Sequence, residues 1–564
     1  MIKIIQRLEF EDVFPEEEKQ EVLFYLKKVS RETLLKSIGF FNTNNLPNFD
    51  NFFSNPEIAK DIYDRIVDYS KKNGIKNKPE TVSKHASLKL SELILSNRKE
   101  LLEDNENSSI DEDEINLFKA FLVVNREINK NQNLESTSNS NFSKLVDFSV
   151  IFNFPLSDLA IFENDDLEFL KLTYTTLVKV EFLFDFLNSE PEFENLKVHL
   201  IASFNTDNEE DFFKEMKYLF GKLLELKTSN NYIFKVEDEN SEKFLTSMTS
   251  DDILTDEDFT YIKINPIYKI EEHTYSIVNY FYVIDKFYRS SKFKIKEIYE
   301  SDSDLKSKYG NFFNFFNKEF SENFLMKKVL DEIFHKPYFT KKPESDTELP
   351  GEPDYYLRHN NNIFLFENKD VLIAKAVKAS ADIEKINKTL KIKFLGDENH
   401  KVGIGQLINT IEEILEKKFR FDSYVNSKNN LKIYPILLVH DRIFQTLGIN
   451  YRLNSWYLES LEERLSDKFN LSNIKSLTVI DIDTIILWSP YLKEKDKRFK
   501  DLLDSHLNKL NSKFKINTPN YEYGMEIANK RLTDKITPIS YRNIPYNLPT
   551  ELFIDKFRGV LKEE

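Results

Sequence analysis

The chain has 564 residues, a net charge of −16, 40% hydrophobic and 14% aromatic residues, and no cysteine. That is apolar material for roughly two to four domains with large buried cores, and the missing thiols exclude disulfides, thiolate zinc sites, iron–sulfur clusters and cysteine nucleophiles, leaving oxygen or histidine to bind any metal. The opening residues have no long apolar core and no later run approaches the roughly 18 apolar residues of a spanning helix, so a soluble, cytoplasmic protein with no membrane contact is expected.

Pro15 followed by Glu16, Glu17 and Glu18 predicts a helix start, because proline is tolerated at the first helical position and acids suit the positive end of the dipole. Val22, Leu23, Leu26, Val29, Leu34 and Leu35 mark its apolar side. Helical periods recur over 113–128, 167–187 and 209–226, with polar breaks at 104–111 and 129–141. Residues 1–258 are therefore expected to form a mainly helical domain. Its acidic blocks at 16–18, 103–114 and 237–258 would repel a phosphate chain, so this half is expected to bind a protein partner, to self-associate or to regulate access.

The texture changes at Tyr261. Short alternating runs, Tyr261-Ile-Lys-Ile264, Ile267-Tyr-Lys-Ile270 and Tyr275-Ser-Ile-Val278, surround the polar turn Glu271-Glu-His-Thr274 and lead into a helical period over 280–288. Residues 259–310 read as a junction of β-hairpin and helix.

Beyond it, Leu325, Met326, Val329, Leu330 and Ile333 fall on a helical period behind Ser321 as a cap, and Pro337 closes the helix. The stretch 351–370 then carries the chemistry. Asp354 follows a proline, Asn360 to Asn362 form a polar turn, and the apolar run Ile363 to Phe366 ends on Glu367 and Lys369. Residues two apart on a strand share a face, so Glu367 and Lys369 emerge side by side, and a preceding strand turned back through the asparagines brings Asp354 to them. Two carboxylates and an ammonium at the end of a buried hairpin make a divalent-metal site with a catalytic lysine. The bland alternative is an edge hairpin with a surface Glu367–Lys369 salt bridge.

After the motif come Lys375, Lys378, Lys385, Lys388, Lys391 and Lys393 against only Asp370, Asp382 and Glu384. Lys378, Lys385 and Lys388 fall at i, i+7 and i+10, one side of a helix, and with Lys375 are expected to contact phosphates; otherwise they form a solvated face. Residues 403–419 read as an amphipathic helix with Ile404, Leu407, Ile408, Ile411, Ile414 and Leu415 inward, followed by strand-like runs at 433–439 and 476–480. Asp481 and Asp483 read as a strand end and a helix cap. A core at 311–490 and a helical extension with a proline-containing tail at 491–564 complete the reading.

Pro353-Asp354 and Glu367-Asn368-Lys369, with a helix before and a helix and strand after, resemble the PD-(D/E)xK nuclease superfamily. The resemblance implies an α/β nuclease core in the C-terminal half, a central mixed sheet flanked by helices, beside a large mainly α-helical N-terminal region. It implies that Asp354, Glu367 and the backbone carbonyl of Asn368 hold Mg2+ or Mn2+, and that Lys369 positions the attacking water. Glu322 would contact a second metal or its water; a first-turn acid facing the helix dipole is its alternative. Gln406 matches a glutamine that several members carry, although Thr410 stands where a tyrosine often follows. The expected activity is a Mg2+- or Mn2+-dependent nuclease, a DNA endonuclease in preference to an RNA-cleaving one. The Lys-, Asn-, Ile- and Phe-rich composition with 11 glycines resembles that of an AT-rich bacterial genome, and the architecture that of restriction or antiphage defence effectors. A non-catalytic nucleic-acid-binding or assembly protein on a nuclease-like scaffold is the rival reading.

Overall fold

A computed structural model describes residues 6–43, 52–75, 77–103, 108–138, 141–159, 165–341, 352–397, 401–513 and 521–542. Within them the chain is mostly helical and divides into two compact units.

One unit runs up to Asn133 and resumes over Glu194–Ile298. Its helices start where side chains cap them. Asn55 accepts from the Glu57 N–H ahead of Pro56, Ser109 and Glu112 bond each other's backbone N–H reciprocally, and Asn208 accepts from the Asp211 N–H. The helix start expected at Pro15 is absent. Pro15 and Glu16 lie in a turn, Glu16 pairs with Arg65, and Glu17 pairs with Lys119 at 2.5 Å. These acids serve ion pairs with other helices, and the nearest helices downstream are Val22–Leu26 and Arg31–Thr43. Strands β1 (Ile233–Lys235), β2 (Ile267–Glu271) and β3 (Thr274–Ile277) form an antiparallel sheet in the order β1-β3-β2. The hairpin forms where alternation predicts it. Tyr261 to Ile264, expected as a strand, instead belong to the short helix Thr260–Ile264, whose one buried side chain is Ile262. Alternation over four residues fits one helical turn as well as a strand.

The other unit is built from Leu134–Phe193 and from Tyr299 onward. Its five-stranded mixed sheet has the order β4 (Thr340–Lys341), β5 (Tyr355–His359), β6 (Asn362–Lys369), β7 (Lys432–Val439), β8 (Thr478–Asp481). The pairs β4–β5 and β5–β6 are antiparallel, whereas β6–β7 and β7–β8 are parallel. Parallel neighbours need crossovers, so the chain passes through helices Ile383–Phe394 and Ile404–Leu415 between β6 and β7, and through Ile449–Leu465 between β7 and β8. On one face, Ile363, Leu365, Leu437, Val439 and Val479 share a core with Ile386, Leu390, Ile404, Leu407, Ile408 and Ile411 of the crossover helices. On the other, Phe364 stacks on Tyr434 at 5.1 Å, and Phe334, Phe364 and Phe366 surround Phe499 of helix Arg498–Leu510.

This division departs from the boundaries expected at 1–258, 259–310, 311–490 and 491–564. Residues 141–187 come from the N-terminal half yet complete the unit with the mixed sheet. Val150, Ile151 and Phe154 sit in the core with Ile363 and Leu365, Lys171 pairs with Asp481 at 3.4 Å, and Lys179 pairs with Asp483 at 2.8 Å, all of them buried. A helical period shows that one face is apolar but not which core that face joins. From the C-terminal stretch, helices Arg498–Leu510 and Tyr521–Ile536 are described. Pro519, Pro545, Pro549 and the rest of the tail from 543 lie outside the described residues.

Candidate active site

Strands β5 and β6 are joined through Asn360 and Asn361. Asn360 adopts a φ of 53°, a left-handed conformation that asparagine tolerates better than most side chains. The tight turn fixes the register: His359 pairs with Asn362 and Tyr355 with Phe366, so one step further Asp354 falls opposite Glu367 on the same face. Asp354 Oδ2 accepts the Asn368 backbone N–H at 2.7 Å. Lys369 Nζ lies 3.3 Å from Glu367 Oε2 and 3.9 Å from Asp354 Oδ2. The structure thus brings together the three groups that the motif nominates.

Glu367 is fully buried, and its Oε1 has no hydrogen-bond partner among the described residues. Burial, reinforced by the charges of Asp354 and Glu322, pushes its carboxyl well above the usual range, against the pull of Lys369. For Lys369, burial disfavours the ammonium, but Glu367, Asp354 and Glu322 together outweigh it and hold the lysine above its ordinary value. Two carboxylates within 4 Å of one ammonium, with Glu322 adding negative charge from further away, surround an unsatisfied buried oxygen.

Glu322 arrives on a helix that runs from Phe312 to Ile333 and is capped by Asn311, not by Ser321. Over Phe316–Met326 the helix is wound wide, with the Lys327 N–H reaching back five residues to the Glu322 carbonyl. Ser321 therefore lies in mid-helix, buried, and donates its hydroxyl to Asp370 Oδ2 at 2.6 Å. The sequence showed a good capping residue before an apolar period and gave no sign that the helix began ten residues earlier, in the aromatic stretch after Asn311.

Gln406 is engaged by the start of its own helix. Its side-chain oxygen accepts the Gly403 N–H at 2.7 Å, capping the helix Ile404–Leu415. That helix start is close to the site nonetheless. Gly403 has a φ of 48°, the left-handed region that favours glycine, and a Cβ there would crowd the Phe394 carbonyl at 3.0 Å while lying in ordinary contact, 3.4 Å, with Lys369 Cε. On the opposite face of β6, His440 Nε2 lies 2.7 Å from Asn368 Oδ1, both residues buried. The sequence reading passed over His440; its position directly after the apolar run 433–439, at the carboxyl end of a parallel strand, was the available signal.

Of the four lysines expected to hold phosphates, Lys375, Lys385 and Lys388 are exposed, the last two on the helix Ile383–Phe394. Lys378 is not available. It lies on a separate short helix, Lys375–Lys378, is buried, and pairs with Asp158. The common face at i, i+7 and i+10 fails because the chain breaks its helix between Lys378 and Lys385. Glu332, further along the helix that carries Glu322, pairs with Lys493 at 2.5 Å. Asp481 ends its strand and accepts from the Thr484 N–H as a helix cap, whereas Asp483 lies in the first turn of that helix; both are paired with lysine, which the sequence did not suggest.

Among the described residues no group of three or more His, Asp or Glu side chains is arranged to hold a metal ion. Asp354, Glu367 and the Asn368 carbonyl nevertheless suit magnesium or manganese, which keep several waters and bind through one or two carboxylates plus substrate oxygens. The unsatisfied Glu367 Oε1 is the specific feature that such an ion would complete. No helix among the described residues is long and apolar enough to cross a membrane. Compared with protein-family profiles, curated proteins and solved structures, the chain has no match.

Proposed function

We propose that the chain is a metal-dependent nuclease that hydrolyses phosphodiester bonds, with DNA its preferred substrate and defence of a bacterial cell its setting. The observation that carries this reading is Glu367: a fully buried carboxylate with an unsatisfied oxygen, facing Asp354 and flanked by Lys369. Such an arrangement costs stability unless something else completes it. Asp354, Glu367 and the Asn368 carbonyl would hold Mg2+ or Mn2+, and Glu322 adds charge to the same side. A divalent cation there supplies Lewis acidity toward the scissile phosphate and toward water. Lys369 keeps its proton, orients the attacking water and offsets charge that builds on the phosphate oxygens. Exposed Lys375, Lys385 and Lys388 supply sequence-independent contacts to the backbone.

The acidic unit up to Asn133 and over Glu194–Ile298 we assign to a protein partner, to self-association or to restraint of the nuclease. The absence of a three-residue metal cluster among the described residues favours, as the second reading, a nuclease-like scaffold without catalysis. Incubating the purified protein with plasmid, linear duplex, single-stranded DNA and RNA, each with Mg2+, Mn2+ or EDTA, decides between them. Cleavage that EDTA abolishes supports the nuclease; no cleavage of any substrate and no binding of Mn2+ supports the scaffold.

A further inference from the structure

We propose that Ser321 and Asp370 form a buried latch that fixes the helix turn carrying Glu322 beside the strand end carrying Glu367 and Lys369, which makes both of them positioning residues for the cleavage proposed above, a reading on which this inference rests. The hydroxyl of Ser321 donates to Asp370 Oδ2 at 2.6 Å, with the two residues 0% and 7% exposed. Each partner is the immediate chain neighbour of a site residue, Ser321 of Glu322 and Asp370 of Lys369. A short, charge-assisted bond therefore ties the helix that carries one to the end of the strand that carries the other.

Stability alone is a poor reason for this pair. Asp370 is a second buried carboxylate three residues from Glu367, and burying it adds a desolvation cost that an apolar pair of similar volume would avoid. The winding of the helix points the same way. A wide turn inserts one residue, which rotates the side chains beyond it by about 100° relative to a regular helix, and such segments concentrate at functional sites. Glu322 lies within the wide stretch Phe316–Met326, so its direction depends on that winding being held. The Asp370 bond holds it at the neighbouring residue. A second buried tie, His440 Nε2 to Asn368 Oδ1 at 2.7 Å, steadies the same strand end.

The test uses the full-length protein, with plasmid cleavage kinetics and Mn2+ binding by calorimetry as separate readouts. Ser321→Ala and Asp370→Ala should each lower kcat about ten- to hundredfold, the usual effect of removing a group that orients a metal site, with the DNA KM near wild type. Asp370→Asn keeps an oxygen to accept the hydroxyl and should retain most of the rate. The decisive comparison is epistasis: in a Glu322→Gln background, Ser321→Ala should add nothing. If Ser321→Ala melts, Ser321→Cys, near in size and a weak donor, serves the same comparison. Wild-type kcat in the serine variant, or a full additional loss in the Glu322→Gln background, overturns the latch while leaving the nuclease standing. A wild-type chain that binds no Mn2+ and cuts nothing removes the nuclease reading and the latch with it.

Discussion

Asp354 Oδ2 accepts the backbone N–H of Asn368 at 2.7 Å, so the first carboxylate of the site is tied to the strand that carries the second. That bond separates two roles of Asp354. Asp354→Asn keeps an oxygen for the Asn368 N–H and so should keep the fold and the β5–β6 register, while losing the charge that holds a cation. Metal-dependent cleavage is expected to fall at least about a hundredfold in Asp354→Asn, Glu367→Gln and Lys369→Met, the scale set by removing one group that stabilises a transition-state charge. Circular dichroism with plasmid nicking reads both properties. A Glu367 variant that cuts at the wild-type rate would sink the assignment.

The raised pKa of Glu367 makes both metal binding and stability depend on pH. A cation needs the ionised carboxylate, so affinity for Mg2+ should climb as pH rises through the raised pKa and level off above it, and binding at lower pH should release a proton. Calorimetry in buffers of different ionisation enthalpy counts that proton. For the metal-free protein the sign is opposite. A folded pKa above the unfolded one contributes stability that is complete below the unfolded value of 4.5 and is lost as pH rises through the folded value. Glu367→Gln should therefore flatten this part of the pH profile and raise the melting temperature of the metal-free protein on the alkaline side. A variant that leaves the profile unchanged would mean that Glu367 is not strained in the folded state.

The lysines after β6 divide into two kinds. Lys385→Glu with Lys388→Glu should leave the melting temperature near wild type, weaken DNA binding and flatten its salt dependence, since each lost phosphate contact removes a slope of roughly 0.9 in log affinity against log salt. Lys378→Glu should behave as a core defect, because it buries a second carboxylate against Asp158. Leaving a buried charge uncompensated costs about 3–5 kcal/mol. A well-folded Lys378→Glu that loses only DNA affinity would show that this lysine faces the nucleic acid after all.

How far the sequence could be read follows from which signals are local. The β5–β6 hairpin was legible because its turn, alternation and register are all set within twenty residues, and register alone carries Asp354 to Glu367. Ser321 and Lys378 were misplaced for a different reason. Each has a role in its own helix that the sequence suggests and a partner distant in the chain, or a change of helix, that it does not. Ser321 looked like a cap until Asp370, 49 residues on, took its hydroxyl. Lys378 looked exposed until Asp158, 220 residues earlier, was placed beside it. Nothing in a single sequence announces such pairings.

The same limit decides where the chain can be cut. A fragment starting near Asn311 contains every motif residue and all five strands of the mixed sheet, and on sequence alone it is the natural nuclease core. It lacks Val150, Ile151 and Phe154 from the sheet's core cluster, and it removes the helix Asp165–Leu187 that supplies Lys171 and Lys179 as the cations of Asp481 and Asp483. Each apolar core side chain lost in this way costs on the order of 1.5–3 kcal/mol, against a total stability of roughly 5–15 kcal/mol for a domain. The fragment is expected not to fold. Within the full chain, Lys179→Ala leaves Asp483 buried without its cation and should lower the unfolding free energy by about 3–5 kcal/mol, whereas Lys179→Met combined with Asp483→Leu, which removes both charges at similar volume, should recover most of the loss. Urea denaturation of the three proteins measures it. A fragment from Asn311 that unfolds cooperatively and cuts DNA would show that residues 141–187 decorate the unit rather than complete it.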